Sequence, residues 1–442
     1  MTSIHRDELM DKQIWCIPQS PGGDPWVMQD NYRFDYEERN FWTKLDPLQQ
    51  IYETALARMV SPWAVLAHCA ARALTLVRPN ATLPPIIGGK GSLNWFAAIA
   101  SKSGGGKGSA AKVARELIPG PVRERNLGSG EGLRDAYHKP AVRSGSKVIE
   151  PPERHEAVMF NADEIDQLAA LGARNGSTLM AMLRAGFSGE TIGFSYVKNN
   201  LHLDEHSYRM TLVLSTQPAR AGVLLNDHGG GTPQRFMWFP GTDARITAEA
   251  ATIYKITPLT LPKPSEWQYP RELTIPDEAH WMIVRNRAKA ARGEGGDALD
   301  GHALFCREKF AYALALLDGR VKMTADDWQL SGIAAEMSTL TRDWVARELA
   351  TASEDEARER GRVQGVAGAA ADEEKAHQTV QRSQRIARWV LTKLNAEPMT
   401  KRELTLSITS RDRLWLAPAL ESLADQGLIT FDKDANKWAV RP

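Results

Sequence analysis

The segment 91–118 contains the pattern that most constrains the fold of this chain. A short apolar run, "GSLNWFAAIAS", leads into the glycine-rich stretch "KSGGGKG", which is followed by the helix-forming run "SAAKVARELI". Two later apolar runs, "EAVMFNADEID" and "YRMTLVLSTQP", lack the polar alternation of half-exposed strands and are typical of strands buried on both faces. Buried strands that alternate with helices predict a parallel sheet covered by helices, and therefore an α/β fold.

The glycine-rich stretch has the chemistry of a phosphate site. Consecutive backbone N–H groups at a helix N-terminus converge on phosphate oxygens, and a lysine completes the charge match. Ser101 stands where a P-loop usually has its first glycine, and Gly108 stands where it has a hydroxyl, so Ser109 becomes the hydroxyl candidate for Mg²⁺. A glycine linker with an incidental lysine is the alternative. The predicted nucleotide-binding residues are Ser103, Gly104, Gly105, Gly106, Lys107, Gly108 and Ser109.

Two adjacent carboxylates end the apolar run "AVMFNADEID". In P-loop ATPases the first such acid orients Mg²⁺ and its water shell, and the second polarises the attacking water. Adjacent acids after a strand also occur at helix N-caps, so the pair alone leaves both interpretations open. Its position downstream of the glycine-rich stretch favours Asp163 as a metal residue and Glu164 as the catalytic base.

The run "MTLVLSTQPAR" ends in polar residues. A polar side chain at the tip of a central strand can sense the γ-phosphate of a bound nucleotide, and Thr216 or Gln217 would be that sensor. The alternative is a strand that simply ends in polar turn residues before Pro218.

With these three motifs in order, the following stretch, "GGGTPQRFMWFP", resembles the AAA+ ATPases, in particular the minichromosome-maintenance helicases and the self-loading replicative helicases of phages and mobile elements. In that family an Arg-Phe pair opens the last core strand, and the arginine reaches the γ-phosphate of the neighbouring subunit. Arg235 and Phe236 match this pair, and a strand-edge arginine in solvent is the alternative. The resemblance covers residues 90–345 and implies ATP, Mg²⁺ and a ring, expected to be a homohexamer.

The stretch "HALFCREKFAYALALLDGRVKMTADDW" resembles the helical lid of the same family. In that lid an arginine near the start of a helix acts as the second sensor, and Arg307 matches it by position. Arg285 and Arg287 are close in sequence and remain alternatives. A "T-x-x-D" capping box is predicted to open the next helix.

Between the acid pair and the sensor strand, "TIGFSYV" and "LHLDEHSYRM" flank an Asn-rich turn, which is a hairpin signal. This resembles the pre-sensor hairpin, whose lysine grips the DNA backbone in the central pore of the related helicases. The resemblance implies that Lys198 binds DNA, and a solvated lysine at a hairpin tip is the alternative.

The last part of the chain has the order of a winged helix-turn-helix. "SQRIARWVLTKLNAE", "TKRELTLSI" and "DRLWLAPALESLADQG" predict three helices, and "LITFDKDANKWAV" predicts a hairpin that turns at 434–436. From Lys375 onward, 12 Lys and Arg face 7 Asp and Glu, which is consistent with phosphate contact. Winged helices also mediate protein contacts.

The predicted fold class is an α/β P-loop core of the AAA+ type with a helical lid, a helical N-terminal region and a C-terminal winged helix. Residues 1–45 lack a clear period and predict an irregular arm, and a helical hairpin on either side of Pro62 follows. The predicted domains are an N-terminal arm and helical region (1–89), the ATPase core (90–263), the lid (264–350), a solvated helix or linker (351–380) and the winged helix (381–442).

Composition limits the partners and the compartment. Lys and Arg number 55 against 54 Asp and Glu, so any nucleic-acid surface must be a local patch or a pore lining. Cys16, Cys69 and Cys306 have neither metal-site spacing nor an even number, which fits a reducing cytoplasm. The N-terminus lacks an apolar signal region, and no apolar stretch approaches about 18 residues, so no membrane partner is expected.

Together these features predict a cytoplasmic ATP hydrolase that assembles into a ring and moves on single-stranded or forked DNA as a replicative helicase. A primase or another replication protein is a candidate partner. One alternative is a RecA-like helicase core, in which Gln217 and Arg220 would couple hydrolysis to movement. Another is an ATP-dependent loader or scaffold that binds DNA without unwinding it. A metabolic kinase is disfavoured because it would not need a DNA-type tail.

Overall fold

A computed structural model gives the fold of the chain. It describes residues 31–102, 107–139, 142–144, 147–150, 152–162, 178–193, 202–228, 230–251, 255–294 and 302–441. The chain divides into two compact units, Met1–Ala352 and Ser353–Pro442.

Twelve α-helices lie within the described residues. They are α1 Asn31–Lys44, α2 Asp46–Ala57, α3 Pro62–Thr75, α4 Lys107–Leu117, α5 Gly130–Asp135, α6 Leu179–Ser188, α7 Gly222–Leu225, α8 Asp277–Ala291, α9 Ala303–Leu317, α10 Ala325–Ala396, α11 Lys401–Ser407 and α12 Arg413–Asp425.

The strands of the described residues form a main five-stranded sheet, a three-stranded sheet in the order β12-β1-β2, and three two-stranded pairs. They are β1 Ala81–Leu83, β2 Gly91–Ser92, β3 Trp95–Ala100, β4 Glu124–Asn126, β5 His138–Lys139, β6 Val142–Ser144, β7 Lys147–Glu150, β8 Glu153–Arg154, β9 Ala157–Ala162, β10 Arg209–Thr216, β11 Phe236–Pro240, β12 Arg271–Glu272, β13 Ile429–Asp432 and β14 Lys437–Val440.

The main sheet has five strands in the order β11-β3-β10-β9-β4, and every neighbouring pair in it is parallel. Every residue of β3 and of β10 is buried, as the uninterrupted apolar runs predict. The predicted α/β class, with a parallel sheet between helices, is therefore confirmed.

Aromatic side chains attach helices to both faces of β3. Trp95 lies 5.6 Å from the ring of Phe310 in α9. The adjacent Phe96 points to the opposite face, where its ring lies 5.5 Å from that of Phe187 in α6. On the first face Trp63 of α3 stacks on Phe239 of β11, with 5.7 Å between ring centroids. The sheet is thus a middle layer, which explains why its strands are apolar throughout.

The N-terminal helical hairpin is present, and Pro62 opens its second helix. Pro62 is the first residue of α3, a position where the missing N–H costs nothing, and the Ser61 hydroxyl accepts from the Ala64 N–H as the N-cap. The irregular arm predicted over residues 1–45 was wrong at its end, because Asn31–Lys44 is helical. The reason is tertiary: Phe41 and Trp42 are buried against Trp63, so packing overrides the weak local period.

The predicted capping box opens α10. The Asp327 N–H donates to the Thr324 hydroxyl at 3.3 Å, and the Thr324 N–H donates to the Asp327 carboxylate at 2.7 Å. Arg320 adds two hydrogen bonds of 2.7 Å to the same carboxylate, which is fully buried. The helix continues through the predicted solvated segment, and every side chain from 353 to 380 is exposed.

The second unit contains the end of α10, the helices α11 and α12, and an antiparallel pair of strands, β13 and β14. Asn436 takes a φ of 51° at the hairpin turn, within the segment predicted to turn. The three helices and the hairpin predicted here are therefore present. The small hydrophobic core of the second unit consists of Ile386, Val390, Leu394, Leu404, Ile408, Leu416, Ala419, Leu420, Leu423 and Ile429.

Candidate functional site

The carboxyl edge of the main sheet is the candidate site. The Ser101 N–H donates to the Thr216 carbonyl at 3.1 Å, and the Gly241 N–H donates to the Ala100 carbonyl at 2.7 Å, so β3, β10 and β11 end level. After β3 the chain crosses to β4 at the far edge and returns through β9 and β10, whereas β11 lies on the other side of β3. Such a reversal of strand order opens a crevice beyond the carboxyl ends, where open α/β sheets bind ligands.

The glycine-rich stretch joins this edge to α4. Its residues 103–106 lie outside the described part of the chain, and α4 begins at Lys107. Gly108 and Ser109 are exposed in the first turn, and no atom of the described residues lies within 4 Å of a Cβ added at Gly108. Because the first N–H groups of a helix have no partner within the helix, this uncovered turn is suited to an anion.

Ser101 provides a second polar group at the start of the same loop. Its side chain is fully buried, and its hydroxyl has no hydrogen-bond partner among the residues that the structure describes. A buried hydroxyl without a partner costs free energy, so it is expected where a ligand or water supplies the bond.

The predicted acid pair follows directly after β9. That strand ends at Ala162, which pairs with Leu214 of β10, two residues before the tip of β10. Asp163 and Glu164 are the next two residues and lie outside the described part. The strand that carries them therefore ends at the same edge as β3.

The two sensor candidates differ in their surroundings. Thr216 is buried at the tip of β10, where it pairs with Ala100, and its hydroxyl donates to the Gln217 carbonyl at 3.0 Å. The Gln217 side chain is half-buried. Both residues therefore lie beside the first residue of the glycine-rich loop.

Arg235 lies next to the helix α9 and is half-buried. Its guanidinium donates to the Gly231 carbonyl at 2.6 Å, whereas its Nε has no partner among the described residues. Burial and the nearby Arg184 guanidinium lower the pKa of Arg235. The loop before it is fixed from both sides, because the Cys306 thiol donates to the Gln234 carbonyl at 3.5 Å and Arg184 holds Asp227 at 2.8 Å.

The register of β11 places Arg235 far from the carboxyl edge of its own sheet. Phe236 pairs with Phe96, so Arg235 lies level with Trp95 at the start of β3. From there to Ala100 is five residues along a strand, or about 16 Å. An extended arginine side chain reaches only roughly 7 Å from its Cα, so it cannot touch a ligand bound at that edge of its own subunit.

Arg307, which the sequence predicts as the second sensor, contacts two residues of α10. Its guanidinium lies 4.0 Å from the centre of the Trp328 ring, donates to the Trp328 carbonyl at 2.8 Å and donates to the Ser331 hydroxyl at 3.2 Å. Burial lowers its pKa to about 10. The alternative residues Arg285 and Arg287 are exposed on α8.

The residues on either side of the predicted hairpin pair with each other. Ile192 and Leu203 form an antiparallel bridge, in which the Ile192 N–H donates at 3.0 Å and the Leu203 N–H donates at 2.8 Å. Residues 194–201, which include Lys198, lie outside the described part of the chain.

Two polar contacts that stabilise this region were not predicted from the sequence. Arg209 is fully buried and donates to the carbonyls of Val77 and Ala81 and to the Ser92 hydroxyl, which ties the amino end of β10 to the preceding elements. Burial lowers its pKa to about 9. The other group is the Arg184 contact with Asp227. Each joins residues far apart in the sequence, so no local spacing could have revealed it.

No family model matches the sequence, and no curated protein matches it. Among the described helices, none combines the length and apolar character that crossing a membrane requires.

Proposed function

We propose that the chain is an ATP-driven, ring-forming DNA helicase or translocase that acts in phage or mobile-element DNA replication. The observation that carries the proposal is the position of the glycine-rich loop. It leaves the interior strand β3 at the point where strand order reverses, and the Thr216 carbonyl accepts from the Ser101 N–H at the start of the loop. A phosphate-binding loop at that place is expected of a P-loop ATPase of the AAA+ type.

Nucleotide binding is assigned to residues 103–109, with Lys107 as the cation. ATP with Mg²⁺ supplies the hydrolysable phosphoanhydride, and the exposed first turn of α4 and the unpartnered Ser101 hydroxyl fit an anionic ligand. Asp163 and Ser109 would hold the metal, and Glu164 would position the attacking water.

Assembly into a ring, proposed as a homohexamer, is supported by the register of β11. Arg235 is about 16 Å from the carboxyl edge of its own sheet, so a role at the γ-phosphate requires a neighbouring subunit. Residues 264–350, which include α8, α9 and the first part of α10, are assigned to the lid, with Arg307, Arg285 or Arg287 as its sensor.

Contact with DNA is assigned to Lys198 on the hairpin above the Ile192–Leu203 bridge and to the second unit. That unit has three helices and an antiparallel hairpin, an order expected of a winged helix, and from Lys375 onward Lys and Arg outnumber Asp and Glu by 12 to 7, which supports phosphate contact.

The test compares ATP binding, ATP hydrolysis and unwinding of a forked duplex in matched variants. We expect Lys107→Ala to lose ATP affinity and Glu164→Gln to bind ATP without turnover. Lys102→Ala is the control, since Lys102 belongs to the same loop but its amino group lies 3.6 Å from the Glu348 carboxylate. Equal loss of ATP affinity in the Lys102 and Lys107 variants would contradict the assignment of the phosphate site.

The same assays separate the alternatives. Hydrolysis that DNA does not stimulate, without unwinding, would favour the loader or scaffold. A strict requirement for Gln217 and Arg220, with no requirement for Arg235, would favour the RecA-like core.

A further inference from the structure

The helix α8 presents an exposed face that combines an aromatic ring with basic side chains. Only Ala279 and Ile283 of this helix are buried. Trp281 is 56% exposed and Met282 is 37% exposed, although residues of both types are usually covered in a folded protein. The face lines a surface groove of about 450 Å³, formed by Glu278, Trp281, Met282, Arg285, Asn286 and Lys289.

The spacing aligns the ring with two cations. Trp281, Arg285 and Lys289 recur every four residues, so they lie along one side of the helix, with about 6 Å of axial rise between neighbours. Arg285 and Lys289 form no ion pair or hydrogen bond through their side chains with any described residue. Against these two cations the groove has one carboxylate, that of Glu278. The face is therefore positively charged.

We propose that this face of α8 binds single-stranded DNA, with an unpaired base stacked on the Trp281 ring and phosphates held by Arg285 and Lys289. The inference builds on the proposed function and adds the form of the DNA. An exposed indole stacks on a base whose face is free, as in a single strand, and stacking of this kind tolerates any sequence. In duplex DNA the base faces are covered by their neighbours.

Charge complementarity favours a nucleic acid over the other candidate surfaces. A bilayer would require a continuous apolar face, whereas Trp281 and Met282 are flanked here by charged and polar side chains. A protein partner would have to supply carboxylates opposite Arg285 and Lys289. A phosphate backbone carries a negative charge at every nucleotide, so it neutralises both cations and releases counterions.

The experiment measures the binding of the full chain, without nucleotide, to a fluorescent oligo(dT) by anisotropy at several salt concentrations. We expect Trp281→Ala to weaken binding at least about fivefold, and Trp281→Phe to retain most of the affinity because the ring is kept. Tyr269→Ala is the matched control, since Tyr269 is 74% exposed but lies outside α8. It should bind as the unchanged chain does.

The charge contribution is tested by the double variant Arg285→Ala/Lys289→Ala. Its log–log salt slope should be shallower by about 1.4, because each phosphate contact on a single strand contributes about 0.7. Lys322→Ala, which changes an exposed lysine before α10, should leave the slope unchanged.

The inference would be overturned if Trp281→Ala bound oligo(dT) normally, or if it lost as much affinity for duplex DNA as for oligo(dT). Binding of anionic vesicles to this face, or a change in the sedimentation of the protein caused by the variants, would also overturn it. Absence of oligo(dT) binding by the unchanged chain would also overturn it. Hydrolysis of ATP without DNA is a separate readout, so failure of this inference is distinguishable from failure of the proposed ATPase.

Discussion

Arg235→Ala provides the sharpest test of the proposed ring. A finger arginine of this kind is worth about 10³- to 10⁵-fold in turnover, so we expect the variant to keep ATP binding and to hydrolyse at no more than about 0.1% of the normal rate. Arg235→Lys should rescue little, since an ammonium cannot span two phosphate oxygens as a guanidinium does.

Folding should be nearly unaffected by the substitution. The variant loses the hydrogen bond to the Gly231 carbonyl, which is worth about 1.5–3 kcal/mol for a charged donor. It also removes a half-buried cation whose Nε is unpartnered and whose neighbour Arg184 repels it. These effects oppose each other, so we expect the free energy of unfolding to change by about 1 kcal/mol or less.

Mixing Arg235→Ala with Glu164→Gln before ring assembly decides whether the arginine acts between subunits. Each variant alone is inactive, but an interface that joins the intact Glu164 of one subunit to the intact Arg235 of the next is complete. In an equal mixture about one quarter of interfaces are of this type, so turnover should rise to at most about a quarter of the normal rate. The assay is steady-state ATP hydrolysis across mixing ratios. No recovery at any ratio would refute the reasoning from the register of β11.

Three further predictions concern positions around this core. Gly231→Ala should lower ATP turnover, because Gly231 has a φ of 73° and an added Cβ would lie 2.8 Å from the Arg235 guanidinium. Gly293 is the control: it has a φ of 76°, but no described atom lies within 4 Å of an added Cβ, so Gly293→Ala should lower the free energy of unfolding by a similar amount, about 1 kcal/mol, without lowering turnover. Equal losses of activity in the two variants would contradict this prediction. Burial raises the pKa of Glu308 from 4.5 to about 7, so the folded state holds a proton that the unfolded state releases, and stability falls as pH rises through that window. Glu308→Gln should therefore be more stable relative to the unchanged chain at pH 8 than at pH 5, by up to about 3 kcal/mol in urea unfolding, and a pH-independent difference would contradict the assignment. Lys198→Ala should retain ATP binding and ring formation but lose DNA-stimulated hydrolysis and unwinding, and normal unwinding would place the hairpin outside the DNA path.

Local sequence patterns were enough to predict many of the strands and helices. Uninterrupted apolar runs can be satisfied only where both faces of a strand are covered, which predicted β3, β9 and β10 and their parallel sheet. The capping box at Thr324 and Asp327 was predictable because a cap joins residues three apart. The glycine-rich loop between a strand and a helix predicted a phosphate site for the same local reason.

Tertiary structure decided what depends on contacts between distant segments. Strand pairing brings Thr216 beside Ser101 at the carboxyl ends of the strands and places Arg235 level with their amino ends. Neither position follows from a local pattern. Packing also made Asn31–Lys44 helical, against its weak periodicity. The exposure of Trp281 could not be predicted either. Apolar spacing identifies the apolar face of a helix but does not show whether another element covers it. Local patterns reflect backbone and side-chain preferences within a few residues, whereas burial and pairing are set by residues up to hundreds of positions apart.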